Sequence, residues 1–431
     1  MTTWKNLALA GCLGLVATNS FSYDIVDRAK LIDDKFKTQE MLRPYGHDFY
    51  LNINGAVTTD AMDLKDDADK IGDINSGSVT ADLAEANRIL EKYYDKEQVL
   101  RAKVDFGIPI FSFKAFDIDF KPNFRFGAGV LAVLTPKKEQ SSISTIIDNL
   151  DEIPANIRTA LKSCLNTIVT NNNPADNGKD LLVLCVGNGI TQAQADQIKD
   201  TYNVDKIPYE SSIATTTTTT PSVDIYAKVE AKAGLWFDYT KGEHFFGTFG
   251  LYGLGRLDIK KRADGVILLG GGGNIDTANN TLINAAIDYR FGYKNSNYSA
   301  FAAVEELKLA EISSEDEGTP SYGNSALIRL HGQADYKLSF FKLSPFAGTH
   351  MRSGYGIGDG FYLGADWGMH TWEERLALTF RTQVDTEHLT LGVAAKLWLL
   401  QLDLQGKFAV KDKVDDIKVS NYYSANFRLF F

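Results

Sequence analysis

No stretch of 18 apolar residues occurs anywhere in the 431-residue chain, so no membrane-spanning helix is expected. Positive charge is also short: the formal net charge is −10, which excludes a nucleic-acid binder on electrostatic grounds. Cysteine is rare, with three in all. Cys12 falls in an N-terminal export-like segment, which leaves Cys164 and Cys185 as an even pair suited to an oxidising compartment. They are expected to be disulfide-bonded. Catalytic patterns are equally scarce. His331 and His350 have Ser339 and Ser344 near in sequence, but no nucleophile motif accompanies them. Gly270-Gly271-Gly272-Gly273 lacks the Lys-Ser or Lys-Thr of a phosphate loop, and Asp63 to Asp69 lacks the Gly and terminal Glu of a calcium loop, reading instead as a solvated acidic loop. No enzyme, cofactor or metal is expected.

What the chain does have is apolar content, 44% with 25 Phe and 19 Tyr, spread by alternation rather than in runs. About fourteen segments, with a range of 12 to 16, place their apolar residues on one parity. Val223 to Tyr239 and Phe116 to Ala132 are the clearest. Strands in soluble sandwiches average about five or six residues. Segments this long suit tilted membrane strands, which need about 9 to 11 residues. The chain therefore reads as an all-β protein, a transmembrane antiparallel β-barrel.

The two ends carry a resemblance. Lys5, the apolar run Leu7 to Ala17 and Ser20-Phe21-Ser22 form the pattern of a cleavable signal peptide over 1–22. Leu9-Ala10-Gly11-Cys12 also matches a lipobox, but the apolar run continues past that cut. At the other end Tyr423, Ala425, Phe427, Leu429 and Phe431 share one face, while Ser424, Asn426 and Arg428 share the other. This ending resembles the terminal strand of Gram-negative outer-membrane β-barrel proteins of the porin kind. The resemblance implies that Tyr423, Phe427, Leu429 and Phe431 form the signal read by the barrel-assembly machinery. It also implies an outer-membrane location with lipid as partner.

Connections alternate in length, as outer-membrane barrels do between periplasmic turns and outer loops. Short links are expected at Lys114-Ala115, Thr240 to Glu243, Lys294 to Asn297, near Phe340-Phe341, at His370 to Glu373 and near Leu399-Leu400. Aromatics flank them, among them Phe113, Trp236, Phe245, Tyr293, Phe341, Trp367 and Trp398, which reads as an inner girdle. The expected organisation is a short periplasmic segment at 23–44 and a barrel at 45–431, with outer insertions at 58–98 and 135–222. The second insertion is expected to be partly helical, with Pro154 near one helix start and Thr191 capping another, tied by the disulfide and returning through a solvated Thr215 to Thr220 hinge. Asp24 to Gln39 could form one charged helix. It is short for the N-terminal hatch that fatty-acid-type transporters carry.

Parity places Arg329, Arg352 and Arg381 in the lumen, with Arg375 and Lys342 near the inner rim and Asp335, Asp366 and Asp385 offsetting them. A surplus of unpaired basic side chains would favour anions. The expected function is thus a passive, weakly anion-selective porin-like channel. The alternatives are a closed barrel acting through its outer loops and a fatty-acid-type transporter of hydrophobic solutes. Small outward residues such as Ala227, Ala231 and Ala233 make a homo-oligomer plausible.

Overall fold

In a computed structural model the described residues are 24–41, 49–74, 76, 78–148, 150, 153–202, 204–264, 280–316, 322–339, 341–371 and 376–430. The segments 1–23 and 265–279, together with Arg375 and Phe431, lie outside them. So do the expected signal peptide and the Gly270 to Gly273 tip.

Fourteen antiparallel strands close into one barrel. In chain order they are β1 (Tyr50–Thr58), β2 (Gln98–Pro109), β3 (Ile118–Ser141), β4 (Thr218–Lys241), β5 (Phe245–Asp264), β6 (Asn280–Lys294) and β7 (Tyr298–Asp316). They continue as β8 (Leu327–Ala334), β9 (Phe341–Met351), β10 (Tyr362–Thr371), β11 (Leu376–Asp385), β12 (His388–Leu397), β13 (Leu400–Ala409) and β14 (Tyr422–Phe430). Each pairs with its sequence neighbour, and β14 pairs with β1 from Tyr50↔Phe430 to Thr58↔Tyr422. Closure leaves no free edge, the condition for strands in hydrocarbon.

Alternation sorts the two faces. Leu100, Val104, Ile108, Val229, Leu235, Leu251, Leu330 and Leu404 are 40–50% exposed on the outer wall, while Arg101, Lys228, Arg256, Arg329 and Arg428 are buried inside. A continuous apolar exterior of this extent has no counterpart on water-facing monomers and fits lipid. Phe113, Phe245, Tyr293, Tyr298, Phe341, Trp367 and Trp398 stand exposed near the short-turn end. Trp236 does not join them: its parity is inward and it is buried.

The tight turns sit a residue or two away from their expected places. Ala115↔Ile118 brackets Phe116-Asp117, and Leu397↔Leu400 brackets Trp398-Leu399. Phe116, Asp117 and Trp398 have φ of 52°, 58° and 53°. Such turns favour Gly or Asn for these left-handed angles. Here other residues adopt them, so the usual signal is missing from the sequence.

The long-loop end is uneven. β3 and β4 each run 24 residues because Thr135 to Ser141 pairs with Thr218 to Asp224. The insertion is therefore 142–217 rather than 135–222, and the expected Thr hinge is partly strand. Beyond the lipid a strand needs no apolar face, so parity gives no signal there, and β-branched Thr suits a strand on its own account.

The two insertions fold together. Helices α2 (Ala61–Gly72) and α3 (Val79–Leu90), from the β1–β2 connection, share one core with four helices of 142–217. These are α4 (Ile143–Asp148), α5 (Ala155–Asn171), α6 (Leu181–Cys185) and α7 (Gln192–Tyr202), and the short helix Ser211–Ala214 adds Ile213 and Ala214 to the same core. Leu83, Leu90, Ile146, Leu161, Leu182 and Ile198 are buried in it. Pro154 precedes α5, and Thr191 and Gln194 cap α7 reciprocally at 3.2 and 2.8 Å. Asp63 to Asp69 is helical, not a loop, with Lys65 bonded to Asp69 at 2.7 Å and Tyr93 to Asp67 at 2.9 Å.

Cys164 on α5 is bonded to Cys185 on α6. With a separation of 21 residues, the bond is worth about 3 kcal/mol in the chain-entropy model. The double variant Cys164→Ser, Cys185→Ser is expected to be cut much faster by protease within 142–217 while the barrel keeps its heat-dependent gel shift. Equal loss of both would contradict a bond confined to the cap.

Candidate functional site

The lumen is occupied by helix α1 (Ile25–Met41), where the sequence reading left 23–44 on the periplasmic side. Thirteen of its 17 residues are buried, including Arg28, Lys30, Asp33, Asp34 and Lys35. At about 1.5 Å per residue it is roughly 25 Å long, near the thickness of a hydrocarbon core. Its first residues lie at the long-loop end. Asp24 meets Lys260 at 2.7 Å, and Arg28 meets Glu97 at 2.7 Å and Glu387. Its last turn lies deeper, where Glu40 accepts from Arg101 at 2.7 Å and Lys103 at 2.8 Å.

Every level of the helix is matched by the wall. Val26, Ala29, Ile32 and Phe36 pack on Val99, Leu131, Val133, Tyr226 and Tyr422. Asp33 holds Lys228 at 2.6 Å, Arg101 at 3.0 Å and Lys37 at 3.1 Å. Asp34 accepts from Arg352 at 2.8 Å and Tyr355 at 2.7 Å. Lys35 reaches Asp385 at 3.0 Å and Glu387 at 2.8 Å. Burial alone would raise the Glu387 carboxyl; Arg28 and Lys35 outweigh it and hold it below the usual carboxylate range. Buried charges are tolerated only when paired in this way. A single helix occupies this part of the lumen because long wall side chains reach it across the remaining width.

A β-bulge supplies a partner shared by three bases. Across β6 and β7 the register passes from Tyr289↔Val304 to Ile287↔Leu307, setting two residues, Glu305 and Glu306, against the single Asp288. Glu306 adopts φ 59°, a left-handed conformation costing of order 1–3 kcal/mol for a non-glycine residue. The strain delivers its carboxylate to Lys37 at 2.8 Å, Lys232 at 2.7 Å and Arg352 at 2.8 Å.

The expected lumen residues point inward but are engaged. Arg352 joins Asp34 to Glu306, and Arg381 donates to Asp366 at 2.7 Å. Arg329 donates to Glu305 at 3.2 Å and to Thr38 on α1. Lys342 lies 3.2 Å from Asp335, and Asp385 is taken by Lys35. Arg375 is outside the described residues. The surplus of unpaired basic charge expected on Arg329, Arg352 and Arg381 is therefore not what the lumen presents. The histidine and serine neighbours are also occupied elsewhere, His331 with Tyr362 at 3.0 Å, His350 with Tyr355 at 2.8 Å and Ser344 with Asp335 at 2.6 Å.

Below the last turn of α1 a cavity of about 500 Å³ continues toward the short-turn end. Lys37, Glu40 and Met41 form its upper boundary, and Arg125, Asp238 and Arg290 lie on its wall. Parity reading did not find Glu305, Glu306, Glu97 or Glu387 as partners. The one signal available was the adjacent Glu305-Glu306 pair, which breaks the alternation of Phe301, Ala303 and Glu305.

On the terminal strand, Tyr423 and Phe427 face outward, and Asn426 and Arg428 are buried inside.

No protein-family model matches the chain, and no curated protein matches it. Solved structures with some likeness are membrane barrels. The transport unit of the autotransporter AIDA-I from Escherichia coli aligns at TM-score 0.32 and 6% identity, covering 95% of this chain and 99% of that one. Pseudomonas putida OprB aligns at 0.28 and 7%, covering 92% and 97%. A Pseudomonas aeruginosa FadL homologue aligns at 0.28 and 10%, covering 89% and 90%. Likeness at this level carries no argument about what this chain does.

Proposed function

We propose that this protein is an outer-membrane transport barrel held shut by its own N-terminal helix, with its short turns toward the periplasm and its disulfide-tied cap outside. The observation that carries the reading is α1, a buried, fully ion-paired helix filling a lumen that is wide enough for a channel without it. Passage requires α1 to leave or shift. Its own charges balance, Asp27, Asp33, Asp34 and Glu40 against Arg28, Lys30, Lys35 and Lys37, so the opened wall keeps both signs. Arg101, Lys228 and Arg352 would lose acidic partners at mid-depth, and Glu97, Glu387 and Asp385 would lose basic ones nearer the mouth. A weak anion preference therefore belongs to the open state only, and rests on the three bases freed at mid-depth outweighing Glu306, which loses Lys37 there. A charged wall of this kind argues against a hydrophobic solute.

Planar-bilayer recording tests this. The intact protein should be nearly silent, and the protein lacking residues 24–41 should give stable steps with a reversal potential displaced slightly toward the anion. Arg352→Glu with Arg381→Glu in that background should move it toward the cation. Equal conductance with and without α1 would remove the gate. A second reading, a closed barrel acting through its surface, is favoured by the cap, whose two insertions share one core. Silence in both proteins would promote it.

A further inference from the structure

Ala303 of β7 pairs with Arg290 of β6 on one side and Arg329 of β8 on the other. The two arginines are thus at one level of the wall, two strand spacings or about 9.6 Å apart at Cα, with only a methyl group between them. Arg290 lies over the Phe301 ring at 4.9 Å and lines the cavity beneath α1, and its side chain makes no ion pair or hydrogen bond among the described residues. Its buried Nε has no partner. Arg329 is 1% exposed, and its Nη2 also lacks one. Arg125 faces the same cavity with Nη2 on Asp238 at 2.6 Å and an unpartnered buried Nε. Asp288, the preceding inward residue on β6, is taken by Tyr252 at 2.6 Å, Trp236 at 3.3 Å and the Glu306 N–H at 2.8 Å.

Two guanidinium groups on the cavity wall, Arg125 and Arg290, therefore keep a buried N–H that the carboxylates around them leave unmet, and Arg329 on β8, outside the lining, keeps another, where an unmade hydrogen bond is costly. We propose that this wall binds a small oxyanion, a carboxylate or phosphate group, in the cavity under the helix, with Arg290 as the principal donor. Planar, two-pronged donors match both anions, which is why arginine rather than lysine suits the position. The site takes its purpose, an anionic solute waiting below the gate, from the transport reading, but its existence does not require opening.

The test is calorimetric titration of the intact, detergent-solubilised protein at low salt with sodium acetate, with inorganic phosphate and with glucose. Saturable binding of one oxyanion per barrel, and none of glucose, is expected. Acetate alone would identify a carboxylate ligand and phosphate alone a phosphate ligand. Arg290→Gln should weaken binding by roughly tenfold or more, as loss of charge-assisted hydrogen bonds does. Arg290→Lys keeps the charge and should weaken it less, which separates recognition from misfolding. Absence of saturable binding for both anions, or binding indifferent to Arg290→Gln, would overturn the proposal. Binding in a barrel that never conducts would keep the site and remove only the transport reading.

Discussion

Reversing one charge, Lys37→Glu, is expected to turn a closed barrel into one that opens measurably. Lys37 is 11% exposed at its side chain and lies 2.8 Å from Glu306, 3.1 Å from Asp33 and 3.6 Å from Glu230. In the closed state the variant would place four carboxylates together with Lys228, Lys232, Arg256 and Arg352 still nearby. Breaking a buried pair by removing one partner costs about 3–5 kcal/mol. The open state, with both groups in water, does not bear that cost. Each 1.4 kcal/mol is tenfold, so the open fraction should rise by roughly 10² to several times 10³. Single-channel open probability reads it directly. Glu306→Lys added to Lys37→Glu should restore part of the closed state, which simple loss of packing would not. An open probability unchanged by Lys37→Glu would mean that α1 is held by its apolar face, Val26, Ile32 and Phe36, rather than by its charges.

The second large effect concerns assembly. Leu429→Asp sits on β14, opposite Leu51 of β1 and Leu400 of β13, at the strand that closes the barrel. Charge on the lipid face costs up to about 2–4 kcal/mol at mid-bilayer for Arg or Lys, less for Asp, and less again near the interfaces. Leu429 is near the short-turn end, so the direct penalty should be at the lower end. If β14 also carries the recognition face for the assembly machinery, the loss in the cell should be larger than that energy implies. Outer-membrane levels should fall severalfold, with periplasmic aggregate, while the same purified chain still folds into detergent. Equal loss in both settings would reduce the effect to stability alone. Normal levels in the cell would refute the role of this face.

Much of the fold is legible because a membrane barrel imposes period 2 on every strand. The outward apolar face of Val223 to Tyr239 and the inward polar face of β14, with its one charge Arg428, follow from alternation alone, as does the strand number. The pairing of Cys164 with Cys185 follows from there being no other cysteine after Cys12, which lies in the expected signal peptide. Where lipid no longer constrains the outer face, that signal stops. This is why Thr135 to Ser141 and Thr218 to Thr220 read as loop but fold as strand, and why turns built on left-handed Phe116, Asp117 and Trp398 lay one or two residues from their expected positions.

The site itself was decided in three dimensions. Sequence located Arg329, Arg352 and Arg381 on the inner wall, since facing is a one-dimensional property. Whether they are free is not, because two of them find partners on α1, 291 and 318 residues away: Thr38 for Arg329, and Asp34 for Arg352. Glu306 reaches the lumen only through a bulge, a break in register that periodicity cannot express. A charged 17-residue helix could equally have stayed outside the barrel. Only the closed wall, with a complementary charge at each level, makes its burial favourable.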